Sequence, residues 1–171
     1  MLTRAAVVAA VLLTAACVVV REEDEGRTKE VNISTPVGAL AARTGEDSGE
    51  TGLPIYPGAR PSQEGRDTER ANVSIGTPWF GLHVRAAEYR SGDAPEKVLA
   101  FYREELKTFG AVTECRGDVN FKNGRPVCRQ QRFEDDVQLL AGTEERHRIV
   151  SVKPRRDGTE FALVSIQTGT R

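Results

Sequence analysis

Apolar and polar positions alternate at two different periods along this chain, and one stretch repeats at the helical period. Val98, Phe101, Tyr102, Leu106 and Phe109 recur at helical spacing, while Lys97, Arg103, Glu104 and Lys107 keep to other faces. Asp93 stands where an N-cap belongs, Pro95 suits a first turn, and Glu96 completes a capping-box-like pair with Asp93. Gly110 is placed to end the helix as its C′ residue. The pattern predicts one long amphipathic helix, which needs an apolar partner.

The two-residue period supplies that partner. In Trp79 to Tyr89, Phe80, Leu82, Val84 and Ala86 share one face, and Gly81, His83 and Arg85 share the other. Ala87 and Tyr89 break this phase, which predicts a bulge or a strand end. Ala71 to Ile75 alternates as an edge strand does. Further strands are expected over Ala111–Cys115, Val137–Leu140, Ile149–Val152 and Phe161–Ile166, the last apolar on both faces like a central strand. Asp157-Gly158 predicts a tight hairpin in which both turn positions take positive φ. No strand–helix alternation continues after residue 110, which argues against a parallel doubly wound sheet. The expected fold is α+β: an antiparallel sheet with one long helix across one face.

The pattern also divides the chain. The compact domain is expected over residues 53–171, opening on Leu53-Pro54-Ile55-Tyr56-Pro57-Gly58-Ala59, where two prolines set an extended approach and Pro57-Gly58 signals a turn. Before it, Arg21-Glu22-Glu23-Asp24-Glu25-Gly26 has no apolar period and reads as a solvated spacer, and residues 43–52 read as Gly-rich linker. Between them, residues 31–42 regain enough apolar character for a short strand or docking segment.

At the start of the chain, Met1–Arg4 is positive, Ala5 to Leu13 is unbroken apolar sequence, and Thr14-Ala15-Ala16 precedes Cys17. That order is the layout of a secretory signal over residues 1–16, with an apolar run too short for a membrane span. Leu13-Thr14-Ala15-Ala16-Cys17 resembles the lipobox of bacterial lipoproteins, with Thr14 where leucine is usual. The resemblance implies cleavage before Cys17 and acylation of its thiol; unmodified secretion is the alternative. Several acyl chains make a durable anchor, because each buried CH₂ is worth ~0.8 kcal/mol and one chain binds only marginally. Val18 after the cysteine resembles the sorting pattern for the outer membrane, facing the periplasm. Residues 17–52 then become anchor and tether, and the bilayer becomes a partner.

With Cys17 assigned to the anchor, Cys115 and Cys128 remain as an even pair, and export implies that they are joined. A loop of that length is worth ~3 kcal/mol in the chain-entropy model. Metal ligation and redox chemistry fit less well, since no C-x-x-C occurs and His83 and His147 lack ligand spacing. Asn123-Gly124 conflicts with this pairing. A regular hairpin there sets Cys128 opposite Val119 and leaves Cys115 roughly 13 Å further along. Either the segment bends near Gly117 or the bridge is wrong; the bridge is retained and the regular hairpin given up.

Composition changes the picture little. Of 171 residues, 24 are Lys or Arg and 25 Asp or Glu, a net charge of −1 that provides no field for gathering nucleic acid. Catalytic signatures such as G-x-S-x-G, H-E-x-x-H, a P-loop or a dinucleotide fingerprint are missing, and no cofactor or metal is implied. His83 and His147 read as solvated strand residues. Glu134-Asp135-Asp136 reads as a solvated loop in preference to a cation site. The candidate binding residues are Trp79 and the basic positions Arg146, Arg148, Arg155 and Arg156 around the final hairpin, although a mixed-charge rim is the preferred reading of the basic positions and a cap on the core that of Trp79.

Tyr56-Pro57-Gly58-Ala59, together with Asp93-Ala94-Pro95-Glu96-Lys97-Val98 and Phe101-Tyr102-Arg103, resembles a recurring segment of small exported bacterial proteins of unknown function. The likeness covers roughly residues 53–115 and brings no catalytic residues with it. The functional expectation is a non-enzymatic envelope lipoprotein that binds an envelope protein, polymer or small ligand. An envelope enzyme or accessory using His83, His147 or Tyr89, and a periplasmic small-ligand carrier, are the alternatives.

Overall fold

A computed structural model describes residues 19–25, 28–35, 38–44, 51–62, 70–129 and 136–169. Cys17 and the leader expected over 1–16 lie outside the described residues, as do Glu134 and Asp135.

Among the described residues the chain forms a ten-stranded, wholly antiparallel sheet and one helix. In chain order the strands are β1 (Val19–Glu25), β2 (Thr28–Thr35), β3 (Gly38–Thr44), β4 (Arg60–Pro61), β5 (Arg70–Gly76), β6 (Gly81–Ser91), β7 (Thr113–Arg116), β8 (Asp118–Lys122), β9 (Arg125–Arg129), β10 (Val137–Gly142), β11 (Arg146–Arg155) and β12 (Gly158–Gly169), with α1 (Pro95–Leu106) between β6 and β7. The spatial order is β1-β2-β3-β5-β6-β12-β11-β10-β7; β4 continues the β5 edge along the end of β6, and β8–β9 form a separate hairpin.

This is a mostly antiparallel β fold with one short helix, and it overturns the expected α+β domain with a long helix. α1 spans 12 residues and closes in a three-residue 3₁₀ turn at Lys107–Phe109. Strands also occupy regions expected to be irregular. The stretch expected as a tether carries β1, β2 and β3, of which β2 and β3 overlap the short strand expected over 31–42, and the disulfide loop carries β8 and β9. Strand pairing satisfies backbone groups whatever the side chains, so a charge-rich segment such as Val-Val-Arg-Glu-Glu-Asp-Glu joins a ladder without showing an apolar period.

The core lies between α1 and one face of the sheet. Val98, Tyr102 and Leu106 of α1 are fully buried against Leu139, Val150, Val152, Phe161 and Leu163. Phe109, expected on this face, sits in the 3₁₀ turn half exposed, beneath the Arg148 guanidinium at 5.1 Å. Leu99 takes a buried place instead. Asp93 is not the N-cap. Ala94 holds that position without a side-chain hydrogen bond, and the Asp93 carboxylate accepts from Tyr56 Oη at 2.9 Å and Lys97 Nζ at 2.8 Å. Tyr102 Oη receives the Tyr56 N–H and donates to the Pro54 carbonyl, both at 3.1 Å. The Tyr56–Ala59 turn and the helix are therefore one packed unit, edge-on through the rings of Tyr56 and Phe101.

β6 runs unbroken to Ser91 with continuous pairing to β12. The phase change at Ala87 marks a change of covering rather than a bulge. Ala87 and Tyr89 are buried under the helix, while Leu82, Val84 and Ala86 are half-buried on the opposite face. Phe80 is exposed, not inward.

Cys115 and Cys128 are bonded, their Cα atoms 5.3 Å apart. The regular hairpin also forms, with Val119 opposite Cys128 and positive φ at both Asn123 and Gly124. Gly117, at φ +90°, bends the chain between β7 and β8 and folds the hairpin back over the sheet face opposite α1. That bend reconciles bridge and hairpin, so the regular hairpin forms against expectation. The last hairpin differs as well: Arg155 pairs with Gly158, so Arg156-Asp157 is the turn and positive φ falls on Gly158 alone. There a Cβ would lie 2.1 Å from the Ser91 carbonyl oxygen.

Candidate functional site

A cavity of about 500 Å³ opens where β6 ends and β12 begins, lined by Gly58, Arg60, Pro61, Arg90, Ser91, Gly92, Arg155, Asp157 and Thr159. The ladder creates its cationic wall. Arg60 pairs with Arg90, Arg90 with Glu160, and Glu160 with Lys153, so four charged residues share one cross-strand row and one face. Gly58, at φ +77°, turns the chain through Tyr56–Ala59 and delivers Arg60 to this row.

Glu160 Oε2 receives Arg155 Nη2 at 2.8 Å, Arg155 Nε at 3.0 Å and Arg90 Nη2 at 3.2 Å. Lys153 lies 3.5 Å from Asp136. Arg60, exposed on the same wall, makes no ion pair with a described residue. Three guanidinium groups and the Asp157 carboxylate thus line a solvent-open space, and Glu160 ties two of those guanidinium groups together beside it. Guanidinium presents five donors in a planar fork, which suits carboxylate or phosphate oxygens.

The expected basic cluster is divided by the structure. Arg155 lines the cavity and Arg156 is exposed in the adjoining turn, but Arg146 and Arg148 stand toward the far end of β11, about 30 Å and about 23 Å away at ~3.3 Å per residue. Arg148 is engaged internally, over Phe109 and donating to the His147 carbonyl at 3.2 Å. Arg146 is exposed beside the Thr143 turn. Trp79 is 73% exposed in the turn joining β5 to β6, at the end remote from the cavity.

The candidate catalytic groups are dispersed. His83 is exposed on the helix side of the sheet, with Nδ1 2.9 Å from Ser74 Oγ. His147 is on the opposite face and is buried, against the expectation of a solvated residue. The folded-back hairpin covers it, with the Phe121 ring centroid 4.9 Å away. Burial pushes its pKa below the usual histidine value, opposed by its hydrogen bond to the Thr143 carbonyl at 3.1 Å. Tyr89 is stacked on Phe161 in the core. Asp93 is held below the ordinary carboxylate range by Lys97 first and Tyr56 second. Among the described residues no group of three His, Cys, Asp or Glu side chains could hold a metal, and no helix is long and apolar enough to cross a membrane.

Sequence reasoning missed Arg60 and Arg90. Arg60 lies directly after the Tyr56–Ala59 turn and Arg90 continues the period of β6, but no local signal indicates that their strands pair. No protein-family model matches the chain, and neither a curated protein nor a solved structure does.

Proposed function

We propose that the chain is an exported, membrane-anchored binding module of the bacterial envelope, which holds an anionic group in the arginine-lined cavity. The observation that carries the ligand assignment is the convergence of Arg60, Arg90 and Arg155 around one open space of ligand size. Its ligand carries carboxylate or phosphate, on an envelope polymer or on a small molecule.

Three features support the reading as a whole. The lipobox-like sequence at Cys17 supports the anchor, and the Cys115–Cys128 bridge suits an oxidising compartment. The dispersal of His83, His147 and Tyr89 favours binding over catalysis. A small-ligand carrier with a pocket between helix and sheet is not favoured, because that space is filled by fully buried side chains of α1 and the central strands.

Two measurements test it. Calorimetric titration of the purified protein with pyrophosphate and with citrate should show binding, and Arg60→Gln should weaken it about tenfold or more, the loss of a charge-assisted hydrogen bond worth ~1.5–3 kcal/mol. Absence of binding to both probes sinks the ligand assignment. Metabolic labelling with a palmitate analogue should mark the wild type and spare Cys17→Ser; equal labelling removes the anchor.

A further inference from the structure

The lower rim of the sheet carries an exposed aromatic pair close to where the chain enters the fold. Val19, the first residue of β1, pairs with Ser34, Ser34 with Ala39, Ala39 with Gly76, Gly76 with Gly81, and Gly81 with Gly169. These six positions form one straight row across the sheet. Thr77-Pro78-Trp79-Phe80 projects from the row as the β5–β6 turn, with Trp79 73% and Phe80 43% exposed. The turn is pinned. Thr77 N–H donates to the Phe80 carbonyl at 2.7 Å, and Thr77 Oγ1 accepts from Phe80 N–H at 2.9 Å and Trp79 N–H at 3.4 Å.

Cys17 stands two residues before Val19, a reach of at most ~7 Å at full extension. The turn lies three to four strand spacings from β1, roughly 14–19 Å along the rim. We infer that the Trp79–Phe80 turn is a membrane-contact point: acyl chains at Cys17 hold this rim against the bilayer, and both aromatic side chains enter its interface. The inference rests on the anchor proposed above.

The chemistry fits an interfacial site. Tryptophan combines a large apolar body with one polar N–H and collects at the headgroup level, and two ordered aromatics cost little entropy to insert. Among the described residues the charges at this rim do not form a basic patch, since exposed Glu144 and Glu145 adjoin Arg146 in the β10–β11 turn. Contact is therefore apolar and independent of anionic lipid. The geometry also turns the arginine-lined cavity, at the other end of β6, away from the bilayer.

Trp79 is the only tryptophan, so its emission reports this contact directly. The full chain, produced in a bacterium that processes lipoproteins and checked for acylation by intact mass, is reconstituted into phosphatidylcholine vesicles with plain or brominated acyl chains. The expected result is a blue-shifted emission maximum, loss of most emission in brominated vesicles, and neither effect changed by salt or added phosphatidylglycerol. Phe80→Ser, with Trp79 retained, should show shallower quenching at an unchanged melting temperature. Acylated, vesicle-bound protein whose emission stays at the solvent-exposed wavelength, unquenched by bromine and open to aqueous acrylamide, overturns the contact and leaves the anchor standing. A chain that carries no acyl group on Cys17 overturns the anchor and this inference together.

Discussion

Two halves of one sheet obey the same pairing rules but are stabilised differently. From β6 through β12 and β11 to β10, the helix covers one face, and Tyr102, Leu106, Leu139, Val150 and Phe161 are almost wholly withdrawn from water. From β1 to β5 the ladder is equally regular, yet Val31, Ile33, Leu40, Val73 and Ile75 are only half-buried. Hydrogen bonding alone contributes little net stability, because the unfolded chain bonds equally well to water. Burial of apolar surface separates the halves, at about 25 cal/mol per Å². The covered half should therefore behave as the folding unit, and the wing of β1, β2, β3 and β5 as an extension that opens at lower free energy.

The largest expected effect lies under the helix. Phe161 touches the rings of Tyr56, Tyr89 and Tyr102, so Phe161→Ala should cost about 3–5 kcal/mol and abolish cooperative melting in denaturant titration. Next is the bridge across its back. Cys115→Ala with Cys128→Ala should cost about 3 kcal/mol and speed amide exchange in the β8–β9 hairpin, measured against the oxidised protein. In the wing, Val73→Ala should cost only about 1 kcal/mol. Hydrogen exchange should show β2 and β3 amides opening well before those of β11 and β12; equal protection in both halves would break the comparison.

The smallest effect is a pH dependence. Burial lowers the His147 pKa in the folded state, so below about 6.5 the unfolded chain binds the additional proton. Stability from this group is complete above that pH and is lost as the pH falls through the lowered value. The melting temperature should drop on acidification across this window, and His147→Gln should flatten that part of the profile.

How much of this was legible can be traced residue by residue. The helix was readable from Val98, Tyr102 and Leu106 because burial on one face of a helix imposes its own period on the sequence. The central strand at Phe161–Ile166 was readable because apolar residues fill both of its sides. β1 was not, since its Arg21–Glu25 segment carries charges and its pairing is made by backbone groups that every residue possesses. Asp93 misled for a related reason: it matches the capping pattern, but Tyr56, 37 residues away, competes for its carboxylate. The buried state of His147 depends on a hairpin folded over it from another part of the chain.

Local chemistry set the elements. The period of α1, the positive φ available at Asn123-Gly124 and the separation of Cys115 from Cys128 are properties of nearby residues, and each acts whatever the rest of the chain does. The cavity is different in kind. Arg60, Arg90 and Arg155 meet because β4 and β12 flank β6 in a particular register, and a shift of one residue would turn these side chains to the other face. The Trp79–Phe80 rim likewise exists only through the row that joins Val19 to Gly81. Strand order and register are set by which pairing buries the most apolar surface across the whole molecule, and no single segment carries that sum.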